Sequence, residues 1–162
     1  MSKRSIAAKA SSALPAEDGL DYGILNDLVG HLLRHAFLRG QQVFAAVFDG
    51  DGVTPLQFMV LELVSRNPGI THRAAAGAVG AAPSVLTTAM KPLIDEELVT
   101  RVLVPGDGRK VGYALSESGM ERFAAIREKI RLAEARLTAP LGQGGRAELR
   151  AMLKKLTGRD GA

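Results

Sequence analysis

The stretch Arg101-Val-Leu-Val-Pro-Gly-Asp107-Gly-Arg109-Lys-Val-Gly-Tyr113-Ala-Leu115-Ser116-Glu-Ser-Gly119 constrains the fold more than any other part of the chain. Val102 to Val104 and Val111 to Leu115 are β-branched or apolar runs, and Pro105-Gly106-Asp107-Gly108 between them is dense in residues that set turn geometry. This predicts a β-hairpin whose tip carries Arg109 and Lys110. Just before it, Thr71 is placed to cap a short helix through Val79, Gly80 to turn the chain, and Pro83 to open a second helix toward Glu97. A helix-turn-helix followed by a cationic hairpin is the pattern of a winged helix, and it points to DNA. Pro92 complicates the second helix: it removes the bond to the Thr88 carbonyl at a typical cost of ~3 kcal/mol, so a kink near Thr88 to Lys91, or an early end, is expected.

The flanks read as helices. From Leu20 to Phe37, Leu25, Leu28, Val29, Leu32 and Ala36 fall on one stripe, with Ile24, Leu33 and Phe37 beside it, predicting a long helix with a wide buried face. Gly40 is a candidate bend, with Gln41 to Phe48 continuing until Asp49-Gly50-Asp51-Gly52. Thr54-Pro55-Leu56-Gln57 predicts a capped helix start running to about Arg66, ended by Asn67-Pro68-Gly69. After the hairpin, Ser116 or Ser118 caps a helix to about Thr138, Ala139 to Gly145 breaks it, and a last helix spans Arg146 to Leu156 with Leu149, Met152, Leu153 and Leu156 as its apolar stripe.

Composition excludes several classes. At 162 residues and 46% apolar content the chain suits one domain of ordinary size. The absence of cysteine removes disulfide frameworks, zinc-finger sites and thiol redox sensing. No apolar run approaches the roughly 18 to 20 residues of a membrane span, and the first fifteen residues lack a signal-peptide block, so a cytoplasmic protein without membrane contact is expected. No Ser-His-Asp order, phosphate loop or metal set appears, so an enzyme is not expected, nor a cofactor. His31 and His35 have the i, i+4 spacing of a metal pair, but only His72 remains to join them. Net charge is +4, distributed as +3 over residues 1–15, −5 over 16–65, +2 over 66–116 and +4 over 117–162, which turns a cationic helix-turn-helix region away from acidic preceding helices.

The order of these elements, together with Leu93-Ile-Asp-Glu-Glu-Leu98-Val99-Thr-Arg101, then Asp107-Gly-Arg109, then Tyr113-Ala-Leu115-Ser116-Glu-Ser-Gly119, resembles the MarR family of bacterial transcription regulators over roughly residues 20 to 157. The fold this implies is mainly α with a small β-hairpin: a winged helix-turn-helix core with N- and C-terminal dimerisation helices. The corresponding division is 1–18 a flexible arm, in which Arg4 and Lys9 are either idle or in reach of DNA, 19–52 N-terminal dimerisation helices, 53–116 the DNA-binding domain and 117–162 C-terminal dimerisation helices. The chain departs from the family at Glu97, where glycine often closes the recognition helix, and this predicts a strained or rearranged exit. Thr88 and Pro92 stand where the family frequently has arginine.

On the family's geometry the recognition helix enters the major groove of double-stranded operator DNA, and a homodimer reads two half-sites. Ser84, Thr87, Thr88 and Lys91 are the candidate readers, their hydroxyls, methyls and ammonium suiting phosphates or base edges. Arg109 suits a narrow minor groove, with Asp107 orienting it or another arginine, while Arg73 and Lys110 suit backbone phosphate. Family members often bind small anionic or aromatic effectors. Here His31, Arg34 and His35 form a polar stripe suited to a carboxylate or phosphate, and Phe44, Phe48, Phe58 and Met59 are candidate walls of an aromatic pocket, or plain core. Thr54-Pro-Leu-Gln57-Phe58 with Asn67-Pro-Gly69-Ile70 is similar to members that respond to plant-derived aromatic acids or their CoA thioesters. The alternative is a winged-helix protein-interaction module without sequence-specific DNA binding.

Overall fold

The computed structural model describes residues 19–159; the expected N-terminal arm, with Arg4 and Lys9, lies outside the described residues. The chain divides into two compact units at the boundary between Gln42 and Val43.

In the first unit a 3-10 turn, Gly23–Asp27, precedes helix α1, Val29–Val47, which runs across the boundary. The helix expected from Leu20 therefore starts nine residues late. The local cause is an Asx turn: the Asp21 carboxylate accepts the Gly23 N–H at 2.8 Å, and Gly23 takes φ 49°, which an α-helix cannot contain. Gly40 sits inside α1 without ending it. The wide buried face is also absent from the single chain: Leu20, Ile24, Leu25, Leu28, Val29, Leu32, Leu33 and Phe37 are all exposed, Ile24 to 71% and Phe37 to 63%.

The second unit holds α2 Pro55–Arg66, β1 Ile70–Thr71, α3 His72–Val79, α4 Pro83–Asp95, β2 Val99–Val104, β3 Asp107–Leu115, α5 Glu117–Thr138, a 3-10 turn Ala139–Leu141, and α6 Gly142–Leu156. Its core joins Phe44 and Phe48 to Val60, Leu61 and Val64 of α2, Ala75 and Ala76 of α3, Leu86, Met90 and Leu93 of α4, Val99, and Phe123 and Ile126 of α5. Burial of a side chain such as Leu86 or Ile126 is worth about 1.5–3 kcal/mol. The spacing of Leu86, Met90 and Leu93 is that of one helical stripe. It pins α4 by its inner face and leaves Ser84, Val85, Thr87, Thr88 and Lys91 outside.

Local chemistry explains most boundaries. At the start of α2, Thr54 Oγ1 accepts the Gln57 N–H at 3.2 Å while Gln57 Oε1 accepts the Thr54 N–H at 2.8 Å, the reciprocal capping box that the sequence predicts. The same buried Gln57 donates from Nε2 to the Ala89 carbonyl at 3.3 Å, so the cap of α2 also holds α4. Thr71 caps α3 by accepting the Ala74 N–H at 3.3 Å, and Gly80 closes it in left-handed conformation. Helix α4 continues through Pro92 to Asp95 rather than ending early. Pro92 lies only three residues from the end, and both it and Thr88 are exposed, so water can satisfy the one carbonyl that loses its donor.

The exit of α4 is strained, as the missing glycine implied. Glu97 has φ 57°, the only non-glycine residue with positive φ among the described residues. The Leu98 N–H donates to the Leu93 carbonyl at 2.9 Å and the Glu97 N–H to the Ile94 carbonyl at 3.0 Å, a complete Schellman closure built on glutamate. Ser116 caps α5 through the Gly119 N–H at 2.9 Å and donates its own proton to the Glu97 carbonyl at 2.6 Å. A Cβ on Gly119 would lie 2.0 Å from the Leu98 carbonyl oxygen, which is why the α5 start needs Ser and Gly at this spacing.

The hairpin is tighter than expected. Val104 pairs with Asp107, so only Pro105-Gly106 form the turn, and Asp107 to Lys110 belong to β3 instead of the tip. A third strand, unforeseen in the sequence, completes an antiparallel sheet of order β1-β3-β2: Ile70 pairs with Tyr113 and Thr71 with Gly112. Here a Cβ on Gly112 would lie 2.1 Å from the Gly69 carbonyl oxygen, so the approach of β1 to the hairpin requires glycine.

Helix α6 begins at Gly142, four residues before the expected start, and Leu149, Met152 and Leu156 of its apolar stripe are exposed. Helix α5 is tied to the preceding segment by charge. Asp51 pairs with Lys129 and, at 3.8 Å, with Arg122, while Glu62 of α2 receives Arg127 at 3.1 Å. The Lys129 hydrogen bond, helped by the Arg122 charge, holds the Asp51 carboxyl below its ordinary value of 3.8 even though partial burial opposes this.

Candidate nucleic-acid interface

Helix α4 and the hairpin meet through β2, which leaves α4 after a three-residue exit, and through β1, which enters α3 directly and pairs with β3. The sequence thereby makes one body of α4 and the cationic hairpin.

On α4, Ser84, Thr87, Thr88 and Lys91 are all exposed. Their hydrogen bonds differ. Thr87 Oγ1 donates to the Pro83 carbonyl at 3.0 Å and lies 3.1 Å from His72 Nε2, and Thr88 Oγ1 donates to the Ser84 carbonyl at 3.2 Å. Lys91 pairs with Asp95 at 2.5 Å. An exposed i, i+4 pair is worth only ~0.3–0.5 kcal/mol, so it yields easily to a competing phosphate. Arg73, the second residue of α3, is exposed.

On the hairpin, Asp107 does not orient the Arg109 guanidinium. Its carboxylate takes Lys110 Nζ at 2.8 Å and the Arg109 backbone N–H at 3.2 Å. Strict strand alternation would put residues three apart on opposite faces, but the ladder register shifts between Leu103 and Val104, leaving Gly108 to Lys110 out of regular pairing and letting Lys110 reach Asp107. The Arg109 side chain is exposed and has no partner among the described residues.

The remaining candidates separate by unit. His31 and His35 on α1 have ring centroids 4.3 Å apart in an edge-on arrangement, with Arg34 exposed between them in sequence. Phe44 and Phe48 stack at 4.2 Å within the core of the second unit, Phe58 packs against that core, and Met59 is exposed. Two shallow clefts, one around Glu97, Arg101 and Ser116 and the other around Thr138 and Arg146, include none of these seven residues. Among the described residues no three His, Asp or Glu side chains gather closely enough to hold a metal ion, and no helix is long and apolar enough to cross a membrane.

Sequence reasoning missed two residues that position α4. Gln57 was read only as a cap, and His72 only as a stray imidazole. The available signal was the helix-turn-helix itself, which brings the first turn of α3 beside the first turn of α4.

A short helix, a left-handed glycine turn, a second helix with its inner stripe buried and an antiparallel hairpin leading into a capped helix define a winged helix-turn-helix protein. Residues 51–110 match the MarR family model. The structure resembles that of CouR, a transcriptional repressor solved bound to a 23-mer DNA duplex, with TM-score 0.78 and 29% identity over 85% of this chain and 98% of that one. CouR bound to p-coumaroyl-CoA matches at TM-score 0.76 and 28% identity, over 85% and 97% of the two chains. A transcriptional regulatory protein for the hcr operon of Thauera aromatica is 25% identical over 80% of this chain and 78% of its own length. An HTH-type transcriptional repressor of Mycobacterium tuberculosis is 26% identical over 83% and 97%. The mycobacterial family protein solved with salicylic acid has TM-score 0.66 and 26% identity over 80% and 96%. Over about four-fifths of its length the chain is thus similar to transcriptional repressors and regulators, and its residues 51–110 resemble the MarR family.

Proposed function

We propose that the protein is a homodimeric, sequence-specific repressor that binds double-stranded operator DNA and releases it when a small anionic aromatic effector, an aromatic acid or its CoA thioester, is bound. The observation that carries the DNA reading is the exposed, unpartnered Arg109 guanidinium on the same rigid body as the outer face of α4. Arg109 then reaches the minor groove, Ser84, Thr87, Thr88 and Lys91 face the major groove, and Arg73 and Lys110 meet phosphate, Lys110 under the hold of Asp107.

The dimer reading rests on the apolar residues left bare at both ends. Eight large apolar side chains from Leu20 to Phe37, and Leu149, Met152 and Leu156 on α6, are exposed in the single chain. So much bare apolar surface is uncommon in a monomer and suits helices that interlock with a second copy. The effector reading draws on the relatives, whose structures hold p-coumaroyl-CoA and salicylic acid, and on the His31, Arg34 and His35 stripe of α1, which suits a carboxylate. An effector acts only through its different affinity for the DNA-binding and released states.

The test is operator binding with and without candidate effectors, against random duplex at several salt concentrations. Selectivity for one duplex, together with its loss on adding an aromatic acid or thioester, supports the proposal. Equal binding to all duplexes leaves the protein-interaction module instead.

A further inference from the structure

The hydrogen bonds on α4 specify what its threonines have left to offer DNA. A threonine hydroxyl owns one proton and two lone pairs. The Thr87 hydroxyl lies 3.0 Å from the Pro83 carbonyl and 3.1 Å from His72 Nε2, so its one proton is used inside the protein whichever of the two receives it. What remains on the exposed Thr87 is lone-pair capacity and a methyl group. Thr88 has likewise given its proton to the Ser84 carbonyl at 3.2 Å. Val85, half-exposed between Ser84 and Leu86, adds two more methyl groups to the same face. The middle of α4 is thus rich in methyls and acceptors and poor in donors.

That inventory selects its target. Phosphate oxygens, guanine O6 and N7 and adenine N7 are acceptors and gain nothing from it. Thymine presents a 5-methyl group in the major groove, and its adenine partner presents the N6 amino donor, so an A·T pair offers both complements. Resting on the DNA-binding reading above, we infer that Thr87, held by His72, is a specificity-determining residue that selects a thymine in each operator half-site by methyl contact. His72 acts as a positioning residue: its bond locks the Thr87 rotamer from a neighbouring helix, so the methyl is presented in one orientation. This narrows the expectation that the hydroxyls and methyls of Thr87 and Thr88 suit phosphates or base edges to the methyl of Thr87.

The experiment selects preferred duplexes from a random-sequence pool with the wild-type protein, then replaces each thymine by uracil, which deletes only the 5-methyl group. Loss of one methyl contact, at ~0.8 kcal/mol, predicts about fourfold weaker binding at one thymine per half-site. Thr87→Ser, which lacks the methyl, should bind thymine and uracil versions equally at that position, whereas Thr87→Val, whose two γ-methyls present one whichever way the side chain turns and so need no bond from His72, should keep the discrimination. His72→Ala should reduce it and His72→Gln, whose amide N–H stands near the imidazole Nε2 position, should restore it. Preferred duplexes whose uracil versions all bind as tightly overturn the inference while leaving the DNA-binding reading intact. Full discrimination retained by Thr87→Ser overturns it too, and discrimination unchanged in His72→Ala overturns the role of His72. A pool that yields no preferred duplex overturns the DNA-binding reading, and the inference falls with it.

Discussion

The carbonyl oxygen of Glu97 receives the Ser116 hydroxyl at 2.6 Å, so the residue that closes the reading helix and the residue that opens α5 share one hydrogen bond. Ser118 adds a second donor to the same oxygen at 3.3 Å. A left-handed backbone at a non-glycine residue persists only where its surroundings over-determine it, and these two serines, with the two Schellman bonds, do so.

Glu97→Gly should stabilise the protein. Left-handed geometry costs an ordinary L-residue about 1–2 kcal/mol, and the extra freedom of glycine in the unfolded chain returns about 0.4–1 kcal/mol of that, leaving a net gain of about 0.5–1 kcal/mol. The carbonyl and its serine donors are unaffected by the change. Urea unfolding should show a higher midpoint with an unchanged slope; a lower midpoint would mean that the glutamate side chain contributes a contact outweighing the strain.

Gly112→Ala should do the opposite. With a Cβ 2.1 Å from the Gly69 carbonyl, β1 must move off β3, a clash of the over-packing kind that costs about 2–3 kcal/mol. Protection of the Gly69 amide, which donates to the Tyr113 carbonyl at 2.8 Å, should fall in hydrogen exchange more than that of the α2 core. Equal loss everywhere would contradict a local separation of β1.

Arg109→Ala should leave folding within about 0.5 kcal/mol of wild type, because the guanidinium has no intramolecular partner among the described residues. Operator affinity should drop by roughly tenfold or more and the salt slope by about 1. Lys110→Ala should cost less, since Lys110 must first leave Asp107. Unaltered operator affinity in Arg109→Ala at near-physiological salt would remove the hairpin from the interface.

Asp51 gives a pH signature. Its folded-state carboxyl titrates below 3.8, so its contribution to stability is present above the unfolded value and is lost as pH falls through the lower, folded one. Asp51→Asn should therefore be less stable than wild type near neutrality, and the gap should close in acid as the wild-type carboxylate is protonated. A difference independent of pH would show that Lys129 and Arg122 are held by something other than the charge of Asp51.

Local chemistry was legible in the sequence, and distant pairing was not. The Thr54 and Gln57 box, the Asn67-Pro68-Gly69 stop, the Gly80 turn and the strained exit at Glu97 each depend on residues within a few positions, and each appears as read. Strand β1 escaped because two residues acquire strand character only from a partner more than forty positions away. The start of α1 misled because apolar spacing from Leu20 outweighed the Asx turn at Asp21. For the candidate interface, the residue types could be named from sequence, while their commitments could not: Thr87 to His72, Lys91 to Asp95 and Asp107 to Lys110 are facts of the folded chain.

The two ladder pairs of β1 with β3 make the helix pair and the hairpin a single cassette. Anyone transplanting this reading head into another scaffold should place the seams before Thr54 and after the first turns of α5. Replacing the hairpin alone with one from another protein would leave Gly69 facing a foreign strand, and whether that strand carries a glycine opposite it becomes the compatibility rule for every such chimera.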